Sequence, residues 1–66
     1  MNIKLNGSDK EISDNSSIAE LIDSLELAEQ RYAVEINETW IPRSQHSEYQ
    51  LNMGDSVEIV QAIGGG

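Results

Sequence analysis

One stripe of apolar residues limits what this chain can become. Ile18, Leu21, Ile22 and Leu25 recur at i, i+3, i+4 and i+7, the spacing of one face of an amphipathic helix. Ser17 stands just before the stripe as an N-cap, and Glu20 lies three residues on. That pair makes a capping box: the serine hydroxyl accepts from the Glu20 amide while the Glu20 carboxylate reaches back. Glu20 and Asp23 face solvent near the positive end of the helix dipole. The spacing predicts a helix from Ser17 to about Leu27, ending near Leu27-Ala28 because Glu29-Gln30-Arg31 continues no stripe. A single helix can cover only one face of one sheet.

The rest of the chain alternates with the period of strands. Met1 to Asn6 puts Ile3 and Leu5 on one face and Lys4 on the other. Asn6-Gly7-Ser8-Asp9 is a turn signal, since Asn-Gly favours the positive φ of a tight hairpin, and Lys10-Glu11-Ile12 returns. After the helix, Tyr32 to Ile36 alternates again, Asn37-Glu38-Thr39 turns the chain, and Trp40-Ile41 is a short strand stopped by Pro42, which has no amide to donate. Arg43 to Gln50 is polar and irregular, with room for one helical turn. Asn52-Met53-Gly54-Asp55 is a second turn cluster. The last strand, Ser56 to Ile63, sets Val57 and Ile59 on one face and Glu58 and Val60 on the other. The order strand, strand, helix, strand, short strand, strand predicts an α+β domain: a mixed sheet of four or five strands with one main helix packed on one face. The first and last strands are natural central neighbours, and that arrangement is the ubiquitin-like β-grasp.

Composition narrows the function. At 66 residues the chain is one domain with a small core. It has no cysteine, hence no disulfide and no zinc-thiolate site. A net charge of −8 argues against nucleic acid and anionic membrane and suits a protein partner with a basic face. The alternating N-terminus does not read as a signal peptide, and no apolar run approaches the roughly 20 residues that span a bilayer. A cytoplasmic location is therefore expected. His46 is the only histidine and sits in a polar stretch, so no metal site is expected there. No Ser/His/Asp arrangement or phosphate loop is present, and no catalytic residue is expected on this chain. Arg43 is expected to serve in a surface ion pair. Trp40, Tyr32 and Tyr49 divide between partner anchors and packing, which the pattern alone leaves open.

The chain closes on Ala62-Ile63-Gly64-Gly65-Gly66. Three glycines continue neither strand nor helix at low cost. Residues 1–63 are therefore expected to form the domain and residues 64–66 a flexible tail, a thin thread carrying one ionised carboxylate. Val60 lies off the Val57/Ile59 face, and Val60 and Ile63 are expected to form an exposed apolar interface beside that tail. Ordering three glycines costs on the order of 3–6 kcal/mol, which an interface on the folded body must offset.

These features together resemble one family. Ile3-Lys4-Leu5-Asn6-Gly7, Ser17-Ile18-Ala19-Glu20-Leu21, Val34-Glu35-Ile36-Asn37 leading to Ile41-Pro42-Arg43, Gly54-Asp55-Ser56-Val57-Glu58-Ile59 and terminal Gly65-Gly66 are similar to the ThiS-type sulfur carriers of thiamine (thiazole) biosynthesis. The resemblance implies that Gly66 is the modified residue, adenylated and then converted to a thiocarboxylate, while Gly64 and Gly65 thread a partner's channel. It implies an E1-like, ThiF-type adenylyltransferase using ATP and Mg²⁺, and a ThiG-type thiazole synthase that receives the sulfur. The carrier itself would be a cosubstrate, monomeric when free, with no cofactor bound. The alternatives are a carrier for molybdopterin synthesis or tRNA thiolation, a ubiquitin-like modifier, and a β-grasp interaction module with a passive tail.

Overall fold

The computed structural model of the chain describes residues 1–61. The boundary expected after residue 63 falls outside them. In order the chain forms β1 (Asn2–Leu5), β2 (Ser8–Glu11), α1 (Ile18–Ser24), β3 (Tyr32–Ile36), β4 (Thr39–Ile41), a 3-10 turn (Arg43–Gln45) and β5 (Ser56–Gln61). The strands make one mixed sheet in the order β2-β1-β5-β3-β4. β1 runs parallel to β5, and every other pairing is antiparallel. The first and last strands are neighbours at the centre, as expected.

Alternation sorts the two faces. Ile3, Val34, Ile36, Ile41, Val57 and Ile59 turn inward and bury with Ile18, Leu21 and Ile22 of α1 and with Leu51 as one core. Burying each such side chain contributes about 1.5–3 kcal/mol. The outer face carries the alternate residues.

The capping box is present in both directions: the Glu20 amide donates to Ser17 Oγ at 3.1 Å, and the Ser17 amide donates to Glu20 Oε1 at 3.0 Å. The next amides are satisfied from afar, Ile18 by the Tyr49 carbonyl and Ala19 by the His46 carbonyl, each at 3.0 Å. Those bonds order the polar stretch after Pro42, which the sequence left irregular.

The helix ends at Ser24, three residues earlier than its stripe predicts. Glu26 enters the left-handed region at φ 60°. The Leu27 amide then reaches the Ile22 carbonyl at 3.1 Å and the Glu26 amide reaches the Asp23 carbonyl at 3.0 Å. This is a Schellman stop with glutamate where glycine is usual. Leu25 and Leu27 still pack on the core, from outside the helix.

Both hairpins use two-residue turns, so Ser8, Asp9 and Thr39 belong to strands, contrary to expectation. Asn6 and Gly7 have φ of 48° and 85°, and Asn37 and Glu38 have 50° and 71°. Positive φ at both central positions is the type I′ geometry, whose twist matches that of the strands.

Candidate functional site

The strand that leads to residues 62–66 lies at the centre of the sheet. β5 pairs with β1 on one side and with every residue of β3 on the other, from Ile36↔Val57 to Tyr32↔Gln61. Where β1 stops, a side chain takes over. Asn6 accepts from the Ile59 amide through Oδ1 at 2.8 Å and offers Nδ2 to the Ile59 carbonyl at 3.4 Å, while its own amide donates to the Val57 carbonyl at 2.8 Å. The second turn asparagine does similar work at the start of β5. Asn37 Oδ1 accepts from the Ser56 amide at 2.9 Å, and Nδ2 donates to Asp55 Oδ1 at 3.1 Å. Asp55 is buried, and its other oxygen accepts from the Asn52 amide at 2.8 Å. Both asparagines were read from sequence as turn formers only. Their second role spans 53 and 19 residues and has no local signal.

Val60 is 61% exposed on the outer sheet face, as expected. Ile63, Gly64, Gly65 and Gly66 lie outside the described residues. What surrounds Val60 is set by register. Ala33 stands opposite it on β3. In the adjacent row Trp40, Glu35 and Glu58 lie side by side across β4, β3 and β5. Trp40 is 60% exposed and takes no part in the core, whereas Tyr32 and Tyr49 pack against it. On the same face, towards β2, Lys4 Nζ lies 2.6 Å from Asp9 Oδ1. That bond holds the Asp9 carboxyl below its ordinary value of 3.8.

His46 is buried, not in an open polar loop. Its Nε2 donates to the Ile41 carbonyl at 2.9 Å, and its ring stacks on Tyr32 at 5.7 Å between centroids. Arg43 is not in an ion pair among the described residues. It lies over the Tyr32 ring at 4.6 Å and donates to the Ala28 carbonyl at 2.9 Å, tying β3, the 3-10 turn and the stretch after α1 together. These residues brace the body around Tyr32, which stands opposite Gln61 at the end of β5.

Among the described residues no three His, Cys, Asp or Glu side chains gather to hold a metal ion, and no helix is long and apolar enough to cross a membrane. A surface groove of about 480 Å³ lies between β2 and α1 against Lys10, Ile12, Ser16, Glu20 and Leu21. It does not adjoin β5. The arrangement as a whole offers a strand paired on both sides and an outer face of mixed apolar and acidic character.

Comparison with known proteins places this geometry. A profile of the ThiS family matches residues 3–66. The crystal structure of a thiamine biosynthesis protein (ThiS) from Geobacter metallireducens superposes with a TM-score of 0.85 at 28% identity, each chain covered in full. An NMR solution structure of a thiamine biosynthesis protein from the same organism gives 0.82 at 28% identity, covering all of this chain and 88% of that one. Among sequences, a thiazole synthase of Paramagnetospirillum magneticum is 33% identical over 66 residues. The chain spans all of that match but only 20% of that enzyme's length. The protein ycf40 of Porphyra purpurea is 39% identical over 67 residues, covering 93% of its length.

Proposed function

The chain belongs to the ThiS family, and from that membership we propose that it is a sulfur carrier of thiamine biosynthesis with the Gly66 carboxylate as its reactive group. The observation that carries the reading is the family match running through Gly65-Gly66 on a chain whose described part is a β-grasp body. A carboxylate is a poor electrophile. An E1-like, ThiF-type partner would use MgATP to join it to AMP, releasing pyrophosphate. A sulfur nucleophile would then attack the acyl carbon and expel AMP. After a persulfide attack, a second thiol cleaves the S–S bond reductively and frees the thiocarboxylate. The chain has no cysteine, so the labile sulfur has no side chain of its own to sit on. Catalysis belongs to the partners, and this chain is the cosubstrate. Gly64 and Gly65 give a backbone without Cβ that can pass a narrow channel, and Val60 and Ile63 belong to the docking surface at its entrance.

A ThiG-type thiazole synthase is the proposed acceptor of the sulfur. Support comes from the Paramagnetospirillum magneticum enzyme, which carries a stretch resembling this whole chain within its own sequence. Joining two proteins in one chain raises their effective concentration, which suits a carrier and the enzyme it serves. This favours the thiazole branch over the molybdopterin and tRNA alternatives.

The test concerns register. One alanine appended after Gly66 moves the carboxylate by up to about 3.3–3.6 Å, and a misplacement of roughly 1 Å can cost a hundredfold in rate. With the ThiF-type enzyme, ATP and Mg²⁺, the native protein releases pyrophosphate and the extended protein does not. Release from the extended protein at the native rate refutes the role of Gly66.

A further inference from the structure

We propose that the outer face of the sheet is a seat for an arginine of the activating partner, held between Glu35 and Glu58 with the Trp40 ring beside it. This rests on the carrier reading and adds the chemistry of the surface the carrier meets.

The register places Glu35 directly opposite Glu58 and directly opposite Trp40. Directly paired residues on neighbouring antiparallel strands have Cβ atoms roughly 4.5–5.5 Å apart. Two like charges at that spacing destabilise a sheet, in a chain that already carries a net charge of −8. Nothing among the described residues offsets them. The ion pairs there are Met1 with Glu11 and Asp14, and Lys4 with Asp9. Lys4, on this face, is occupied by Asp9 at 2.6 Å.

An exposed indole stands in the same row. Neither feature serves the core, which lies on the other side of the sheet. Together they form an acceptor for a planar cation: a π face with two carboxylates in line. Guanidinium fits best, because it stacks on aromatic rings and gives two parallel N–H donors to a carboxylate. Val60 and Ala33 in the adjacent row supply an apolar border on which water is displaced. The strand carrying Glu58 and Val60 continues in sequence into residues 62–66, so the seat lies on the strand that bears the reactive end.

The pair predicts opposite signs for stability and binding. Calorimetric titration of the ThiF-type adenylyltransferase with the Glu35→Gln/Glu58→Gln double variant should show a Kd raised about three- to tenfold, the range of one or two partly exposed charge pairs. The free variant should melt higher than the native chain. Added salt should weaken native binding and leave the variant's almost flat. A control, Asp23→Asn/Glu29→Gln, removes two acidic groups from elsewhere on the surface and should bind as the native chain does. Trp40→Ala should weaken binding to a similar degree. A double-variant Kd within twofold of native, an equal loss in the control, or a lowered melting temperature each overturns the proposal, as does failure of the native chain to bind. The titration needs no chemistry. Native binding without pyrophosphate release therefore refutes the carrier reading alone and leaves the seat to be judged by its variants.

Discussion

Replacing Asn6 separates two energies that the structure stacks on one residue. Its side chain stands in for a missing residue of β1, accepting the Ile59 amide at 2.8 Å, and its backbone sits at φ 48°. Asn6→Gly keeps the backbone and removes the acceptor. Leaving this part-buried amide without its acceptor costs up to about 1–3 kcal/mol, and the added chain freedom of glycine raises the loss by a few tenths to about 1 kcal/mol. Asn6→Asp retains the acceptor and tolerates positive φ but loses the 3.4 Å donor to the Ile59 carbonyl, so its loss should be about 1 kcal/mol. Asn6→Ala loses the acceptor and also meets the left-handed penalty of about 1–2 kcal/mol. The expected order of stability is native, Asp, Gly, Ala. Domains of this size hold roughly 0.05–0.15 kcal/mol per residue, so Asn6→Ala approaches the whole margin. Urea unfolding followed by far-UV circular dichroism reads the order, since exposed Trp40 is a poor fluorescence reporter. Hydrogen exchange adds a local reading: the Ile59 amide should lose protection in Gly and Ala but not in Asp. If Asn6→Gly lies within about 0.5 kcal/mol of native with Ile59 still protected, the side-chain bridge does not hold β5.

Two further expectations follow from the same kind of reasoning. Glu26→Gly relieves a left-handed glutamate at the helix stop and should raise stability by about 0.5–1 kcal/mol, some 2–8 °C in Tm; an unchanged or lower midpoint refutes the account of the helix end. The Lys4 ammonium holds the Asp9 carboxyl below its ordinary value. Its contribution is therefore present above about pH 4 and is lost as pH falls through the lowered folded value. Urea midpoints of native and Lys4→Met should part above about pH 4 and converge in strong acid, and a gap that persists undiminished there contradicts the pairing.

Much of the fold was legible because its signals are local. Ser17 and Glu20 announce the helix start, and alternation marks Tyr32–Ile36 to the residue. The helix end was hidden because Glu26 adopts a conformation normally advertised by glycine. The turns were drawn too long because their asparagine and glycine signals do not say that only two residues are needed. His46 was misplaced because its acceptor and its stacking partner, Ile41 and Tyr32, belong to other elements. For the candidate site, alternation sufficed to expose Val60. The Glu35/Glu58 row was not legible, because facing across strands depends on register and register is a long-range fact. The same holds for Asn6 and Ile59.

The parallel pairing of β1 with β5 also gives the molecule a mechanical character. A load applied between Asn2 and Gln61 pulls these two strands past one another lengthwise, because they run in the same direction and are loaded at opposite ends. The backbone bonds between them, and the Asn6 bridge that extends them, then carry the load together and do not open one by one as in a peeled hairpin. A machine that grips this chain beyond Gln61 and pulls against its start meets a clamp, whereas one that grips the β3–β4 hairpin meets a zipper.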